Sequence, residues 1–472
     1  MPENKPSEKT RKLKEDLFWE QQRCWDKLSA RERAEVSSYA ERYIDFLDRA
    51  RTERRAVKLM VEEARLKGFN DIHAKGAKTG RVFLSSREKM LVMAVVGKRP
   101  MAEGIRLVAS HLDAPRLDLK PNPLYEDTGL AFLKTHYYGG IKKYHWVARP
   151  LALCGTLIRR DGRSVDIDLG LEPDDPILTV TDLLPHLARK QMEQKASEFI
   201  PAENLNVLVG GTPYADKKAD ERVKLSILQI LNKKYKITEE DFTTAEIQVV
   251  PADRPRSAGL DGSLIAGYGQ DDRVCAFTSF SALLETAQPE HTCVAVFYDK
   301  EEIGSEGNTS AKSRFLEMFL MEMLQYTGAE PSQVNLHRVC FNGKGLSADV
   351  AAGLDPTYPD VHEKRNSPKL GCGLNLKKYT GSGGKYGASD ANAEYASWVR
   401  NLFNDNRVVW QAGGMGKVDE GGGGTVSKFV ANLGMEIIDC GPPVLSMHSP
   451  LEVTSKDDVW MCRKAFKVFF MS

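Results

Sequence analysis

The chain has 472 residues, of which 42% are hydrophobic and 28% are charged, and its 66 basic residues balance 65 acidic ones. This length exceeds one ordinary core, and the balanced charge argues against partners such as nucleic acid or a membrane surface. No apolar run approaches the roughly 20 residues that span a bilayer, and the polar residues 1–27 hold no signal-peptide core. We therefore expect a cytoplasmic protein of two or three domains, with its eight scattered cysteines reduced.

The pattern of predicted secondary structure changes near residue 116. Apolar residues at helical spacing predict a helix over about 30–68, and apolar runs predict strands at Arg81–Leu84, Met90–Val96 and Ile105–Ser110. From 116 to 256, short β runs (Leu153–Ile158, Ser164–Leu169) alternate with turns and with helical stretches at 187–197 and 223–234. We expect this segment to be an inserted, mainly-β domain or lid between segments 1–115 and 257–472 of a main domain.

After residue 257, strands and helices alternate again. We predict helices at 272–285, 310–326, 390–402 and after 457, and strands at 293–298, Arg338–Phe341, Val408–Gln411 and Met435–Asp439. Such alternation is typical of an α/β fold, an α/β/α sandwich around a mixed, mostly parallel sheet.

Two adjacent carboxylates, Glu301 and Glu302, follow the apolar run 293–297. Ligands of open α/β sheets bind where a strand gives way to a loop. Two buried acids side by side are costly unless a cation or a proton neutralises one of them. The pair is therefore either a solvated acidic turn or a metal ligand beside a base that acts on water.

Polar residues follow other predicted strands in the same way. His111 with Asp113 follows the run 105–110, and His448 lies in a loop bracketed by prolines. The acidic pair of Asp271 and Asp272 exceeds what a helix cap requires. Asp349 lies among small, apolar residues.

His111, Asp271, Glu302, Asp349 and His448 together form a set of two imidazoles and three carboxylates. If one carboxylate is shared, this set suits a hydrolytic site with two divalent metal ions. Mixed nitrogen and oxygen ligands favour zinc, with cobalt or manganese as substitutes. The glycine run 421–424 is either a phosphate cradle, a backbone surface that contacts a peptide, or a flexible loop.

These motifs, in one order from about residue 80 to the C-terminus, resemble the M18 family of metallo-aminopeptidases, which includes aspartyl aminopeptidase. Matching segments are 111–115, 138–141, 184–188, 271–272, 299–305, 347–349, 387–390 and 447–449. The resemblance implies that the 116–256 insert is a dimerisation domain and that the chain forms a homo-oligomer, a tetrahedral dodecamer built from dimers. The implied activity is hydrolysis of the N-terminal residue from peptide substrates.

The resemblance also implies a role for each residue. His111 and Asp349 would hold one metal, Glu302 and His448 the other, and Asp271 would bridge them. Glu301 would be the general base, and Asp113 would orient His111. His186 of the insert would reach the active site of a neighbouring subunit.

The sequence departs from the aspartyl enzymes in places that bear on specificity. Lys142 and basic residues follow Ile141 where those enzymes have tryptophan and acidic residues, and Asp272 stands where animal enzymes often have asparagine. Lys385 and Tyr386 occupy positions where the family contacts the substrate side chain. Lys385 either pairs with an acidic N-terminal residue or is a solvated lysine.

Two other functions compete with this interpretation. A related dinuclear amidohydrolase or deacylase would act on small N-acyl compounds, and free-amine against N-acetylated substrates would separate it from an aminopeptidase. A non-catalytic oligomeric shell protein is the other alternative, and the loss of metal ligands would favour it.

Overall fold

The computed structural model describes residues 7–76 and 79–472, so the start of the polar segment 1–27 lies outside the described residues. None of the described helices is both long and apolar enough to cross a bilayer. The α-helices of the described part are α1 (Glu8–Leu17), α2 (Cys24–Lys27), α3 (Ala30–Arg49), α4 (Glu53–Leu66), α5 (Arg189–Met192), α6 (Arg222–Tyr235), α7 (Gln270–Leu284), α8 (Phe315–Tyr326), α9 (Gln333–Phe341), α10 (Ala393–Asp405), α11 (Ser427–Ala431) and α12 (Lys456–Phe470).

The strands of the same residues are β1 (Asn70–Asp71), β2 (Arg81–Ser86), β3 (Met90–Val95), β4 (Arg106–His111), β5 (Arg116–Asp127), β6 (Leu130–Tyr138), β7 (Leu151–Ile158), β8 (Ser164–Leu169), β9 (Thr179–Val180), β10 (Val207–Gly210), β11 (Glu246–Pro251), β12 (Arg256–Ala258), β13 (Leu264–Gly267), β14 (Cys293–Tyr298), β15 (Lys344–Ala348), β16 (Ala351–Ala352), β17 (Leu374–Lys377), β18 (Gly381–Ser382), β19 (Trp410–Ala412), β20 (Gly422–Gly423), β21 (Glu436–Gly441), β22 (Pro443–Val444) and β23 (Glu452–Ser455).

A nine-stranded mixed sheet, in the order β1-β2-β3-β14-β4-β15-β21-β17-β19, forms the centre of the main body. Its middle strands β14, β4, β15 and β21 are parallel. Successive residues of β14 face opposite sides: Ala295 and Phe297 join a core with α3, α4, α7 and α12, and Val294 and Val296 join a core with α8 and α9. Helices therefore cover both faces, and the expected α/β/α sandwich is confirmed.

The second large sheet, in the order β8-β7-β11-β5-β6-β10-β9, is antiparallel and has seven strands. All seven lie between residues 116 and 251, and they pack around a separate apolar core that includes α6. This segregation supports an inserted β domain at 116–256. The domain boundaries themselves stay a prediction.

The strand predicted at Arg338–Phe341 is wrong, because these residues end helix α9. Leu336, Val339 and Cys340 are buried at helical spacing, which a four-residue window does not reveal. The sheet strand comes directly afterwards, at β15.

Three helix predictions also need correction. The helix over 30–68 is two helices, α3 and α4, separated at residues 50–52. The stretch 187–197 holds only the four-residue α5, which buries no side chain that would stabilise a longer helix. The helix expected from residue 310 begins at Phe315.

Candidate metal centre

The side chains with metal-binding chemistry meet at the carboxyl ends of the parallel strands. In β14 and β4 the register places Tyr298 opposite His111, and β15 ends directly before Asp349. The Glu301–Ile303 turn follows β14, and Asp271 lies at the start of α7. Residues that are far apart in sequence therefore share one edge of the sheet, the usual ligand position of such folds.

Asp271 lies between the two predicted imidazole ligands. Its Oδ1 is 3.3 Å from His111 Nε2, and its Oδ2 is 3.2 Å from His448 Nε2. Glu302 Oε2 is 3.4 Å from the same His448 nitrogen. One carboxylate that offers a separate oxygen to each imidazole has the geometry of a bridging ligand.

Within residues 7–76 and 79–472, two groups of side chains are compact enough to hold a cation. His111, Asp271 and Glu302 form one group, and His111, Asp272 and Asp349 form the other, each with ligand atoms within 4.8 Å of one another. All five predicted ligands thus lie in one cluster. The ligand prediction did not include Asp272, although the sequence signal was the doubled acid that exceeds a helix cap.

Burial and mutual repulsion disfavour negative charge on Glu301, Glu302 and Asp349. Asp271 differs, because its hydrogen bonds with the two imidazoles hold its pKa below the usual range despite its burial. Burial, with nearby carboxylates, raises the pKa of Glu301 to about 8 and that of Asp349 to about 6. Burial alone would lower the pKa of His448, but hydrogen bonding to Asp271 and the charge of Glu302 raise it to about 10. Without a bound cation, the positively charged side chains nearby therefore do not balance the negative charge of the clustered carboxylates.

The donor set fits divalent cations. Asp272 Oδ1 and Glu302 Oε1 are buried and, among the described residues, accept no hydrogen bond. Buried carboxylate oxygens without donors are costly, and a bound cation satisfies them. Imidazole nitrogens with carboxylate oxygens are ligands that zinc prefers.

Asp113 connects the two strand-end motifs. Its Oδ1 lies 3.3 Å from His111 Nδ1 and accepts the backbone N–H of Glu301 at 3.1 Å. Its Oδ2 accepts the backbone N–H of Glu302, also at 3.1 Å. The carboxylate of Asp113 thus holds the backbone of both glutamates, while the Asp113 backbone carbonyl lies 3.0 Å from His111 Nδ1. The orienting role of Asp113 for His111 stays a prediction.

The turn that carries the two glutamates is held by its flanks. Lys300 adopts a left-handed φ of 67°, and its Nζ donates to Asp299 Oδ2 at 2.7 Å. Thr309 Oγ1 donates to the same oxygen at 2.6 Å, and the backbone N–H of Asp299 donates to the Thr309 carbonyl. These bonds close the loop at residues 299–309 and restrict the position of Glu301.

A cavity of about 1270 Å³ opens above the cluster and is lined by Glu301, Lys385 and the five predicted ligands. The Nζ of Lys385 lies 2.6 Å from Asp390 Oδ2 and 3.9 Å from the ring centroid of Tyr379. Lys385 therefore pairs with Asp390, although its side chain stays exposed. Tyr386 is 86% exposed, and His186 lies on the exposed surface of the insert. Neither belongs to the described cavity wall of its own chain.

Lys377, at the end of β17, was missed by the sequence prediction. It is buried, it lines the cavity, and its Nζ donates to the carbonyl oxygens of Asp349 at 3.3 Å and Val350 at 3.0 Å. Its sequence signal was a lysine at the end of a buried strand. This cation lies beside a predicted metal ligand.

The glycine run lines the cavity with its backbone. Gly422 and Gly423 (β20) pair with Gly381–Ser382 (β18), and Thr425 Oγ1 bonds to buried Asp439. Because this backbone is paired with β18 and anchored through Thr425, the glycine run is not a flexible loop. The geometry favours the interpretation as a backbone surface beside the substrate.

An α/β/α sandwich with a cluster of histidines and carboxylates at its strand ends defines the class of metal-dependent α/β enzymes. The profile of the family described as aminopeptidase I zinc metalloprotease (M18) matches residues 46–470. "Probable M18 family aminopeptidase 1" of Clostridium acetobutylicum is 44% identical over 460 residues, which cover 96% of this chain and 99% of that protein.

Solved structures agree with these matches. The aminopeptidase (M18 family) of Thermotoga maritima superposes with a TM-score of 0.92 at 43% identity, and covers 96% of this chain and 99% of its own. A more distant structure, the S. cerevisiae mApe1 dodecamer, has a TM-score of 0.74 at 22% identity over 92% of this chain and 96% of that one, which shows the shared fold.

The chain belongs to the M18 family of zinc metallo-aminopeptidases. It is accordingly a metal-dependent hydrolase that removes residues from the amino end of peptides. This membership does not favour the deacylase or the shell-protein alternative.

Proposed function

We propose that the cluster holds two divalent cations, zinc by preference, with His111 and Asp349 on one ion, Glu302 and His448 on the other, and Asp271 between them. The observation that carries this proposal is the Asp271 carboxylate, which offers one oxygen to each imidazole. Asp272 is close enough to join the His111 side.

The proposed ligands would hold divalent cations, which would supply two effects: a lower pKa for a water molecule and polarisation of the scissile carbonyl. Glu301 is the general base: it takes the proton of the attacking water and returns it to the leaving amine. Its fixed backbone and its place in the cavity wall support this role. Asp113 orients His111, and the unpaired carboxylate charge of the cluster receives the free α-amino group of the peptide.

Lys385 and Tyr386 are the proposed contacts for the side chain of the N-terminal residue. An acidic substrate side chain would compete with Asp390 for the ammonium group of Lys385. His186 is proposed to act on a neighbouring subunit, because it lies outside the described cavity wall of its own chain.

We further propose that the 116–256 insert dimerises and that the dimers form a tetrahedral dodecamer. Leu183, Leu184 and Leu187 are exposed around His186, and such apolar patches favour burial against another chain. The related mApe1 structure is a dodecamer. A cytoplasmic location is proposed because all eight cysteines are free thiols, which reducing compartments maintain.

The substitution Glu301→Gln tests the mechanism. We expect metal content equal to that of the wild-type protein and a loss of kcat of about 10²–10⁴-fold, the usual contribution of a positioned acid or base. Glu306→Gln, at an exposed position of the same loop, is the matched control. Full turnover by Glu301→Gln contradicts the base assignment, and equal hydrolysis of N-acetylated and free-amine substrates contradicts the exopeptidase activity.

A further inference from the structure

The segment Tyr138-Gly139-Gly140 joins the two large sheets at the metal cluster. Tyr138 ends β6 of the seven-stranded sheet, yet its hydroxyl bonds to Asp113, just after β4 of the nine-stranded sheet, and the Gly140 carbonyl bonds to His448, in the loop between β22 and β23. We call these three residues the Tyr-Gly-Gly turn. The roles proposed above do not include it.

At one end of the turn, the hydroxyl of Tyr138 donates to Asp113 Oδ2 at 2.8 Å. Asp113 is fully buried, and it is the carboxylate that contacts His111 and receives the backbone N–H groups of both glutamates. The Nδ1 of His111 hydrogen-bonds to the backbone carbonyl of Asp113 at 3.0 Å, and the Asp113 carboxylate lies 3.3 Å from the same nitrogen. The placement of Asp113 therefore bears on the orientation of His111. The Tyr138 hydroxyl completes the donors that fix this carboxylate.

At the other end, the carbonyl oxygen of Gly140 lies 2.9 Å from His448 Nδ1. A carbonyl only accepts, so Nδ1 carries a proton, and Nε2 is the ring nitrogen that faces Asp271 and Glu302. The approach is close, since a Cβ at Gly140 would lie 3.2 Å from that nitrogen. Gly139, between them, has a φ of +72°, which favours glycine.

The position of Tyr138 is itself determined by a buried ion pair. The guanidinium of Arg116, the cross-strand partner of Tyr138, lies 3.9 Å from the ring centroid. Arg116 lies 3.5 Å from Glu53 of α4 and 2.8 Å from Asp118 of its own strand. The ring is thereby held between the two sheets.

We propose that the Tyr-Gly-Gly turn is the positioning element for both imidazole ligands, so that the inserted sheet shapes the metal centre as well as the subunit assembly. Tyr138 acts through Asp113 on His111, and the Gly140 carbonyl acts directly on His448. The inference rests on the proposed two-metal site. A hydrogen-bond partner of the ring nitrogen that does not bind the metal fixes the tautomer and the ring direction of a ligating histidine. Loss of such a partner typically weakens metal binding by about 10–100-fold.

Tyr138→Phe removes only the hydroxyl and keeps the ring on Arg116. The matched control is Tyr137→Phe, the same change one residue earlier on the exposed side of β6. Zinc affinity is measured by chelator competition on metal-free protein, and the cobalt-loaded proteins are compared by their visible absorption. We expect one of the two binding steps to weaken about 10-fold in Tyr138→Phe, with a changed cobalt spectrum and an unchanged control.

Gly140→Ala tests the other end of the turn. The added methyl group would lie 3.2 Å from His448 Nδ1, so the ring must shift by a few tenths of an ångström, and we expect about a 10-fold loss at the other binding step. Gly384→Ala, whose added Cβ meets no atom within 4 Å, is the control for zinc affinity. The double variant should weaken both steps.

Unchanged zinc affinity and cobalt spectra in both variants overturn the inference while the two-metal proposal stands. A loss of affinity that is matched by a lower melting temperature of the metal-free protein also overturns it, because the turn then acts on the fold. If the wild-type protein itself binds no zinc or cobalt, the proposed function fails first.

Discussion

The cluster of predicted metal ligands and the loop at residues 378–390, here called the substrate loop, line the same cavity. They differ in how far their charged side chains are buried. Cluster residues such as Asp113 and Asp271 are buried. Two backbone N–H groups donate to the Asp113 carboxylate, and the backbone N–H of Asp271 donates to the buried carboxylate of Glu452 at 3.2 Å. In the substrate loop, Lys378 and Lys385 pair with Asp390 through exposed side chains. Exposed ion pairs contribute about 0–1 kcal/mol, whereas removal of one buried partner costs several. We therefore expect large effects in the cluster and small ones in the loop.

The largest effect should follow from Asp271→Asn, because both proposed ions depend on this carboxylate. We expect kcat/KM to fall by about 10⁴-fold, the upper end of what a single acid–base group supplies. Metal analysis should show loss of both ions. Asp405→Asn, an exposed change on α10, is the control, and retention of two ions by Asp271→Asn would contradict the bridging role.

Metal removal should destabilise the cluster side of the molecule. A cation at 100 times its dissociation constant stabilises a folded site by about 2.7 kcal/mol. Without it, the burial and the repulsion that raise the pKa of Glu302 and Asp349 are uncompensated. Calorimetry of chelator-treated protein should show a lower Tm that zinc restores. Asp271→Asn serves as the control, since zinc should restore little there.

The sequence predicted the cluster well because its chemistry follows buried strands. The run before Glu301 is β14, and His111 ends β4. The order of strands was not predictable, since β14 lies between β3 and β4, which precede it by about two hundred residues. Such pairing depends on tertiary packing rather than on local pattern. Lys377 was missed because the signal of a single lysine does not show which carbonyl oxygens it meets.

In the substrate loop, Lys385→Met should have a modest and selective effect. Loss of the proposed ion pair should raise KM for substrates with an N-terminal aspartate by at most about 5-fold, the equivalent of 1 kcal/mol. Values for an N-terminal leucine should not change. Lys378→Met is the matched control, since it pairs with the same Asp390. An equal effect on both substrates would mean that Lys385 does not distinguish the side chain of the N-terminal substrate residue.

The smallest effect should come from Asp390→Asn, which releases Lys385 from its present partner. Two lysines hold the pKa of Asp390 below its usual range, so the carboxylate is charged and competes with an acidic substrate. We expect KM for the aspartyl substrate to fall by about 2-fold at low salt, and the gain to vanish as salt screens the exposed charges. A rise in KM would show instead that Asp390 orients Lys385 toward the cavity. The loop would then be like the cluster, in that a carboxylate fixes the position of a functional side chain.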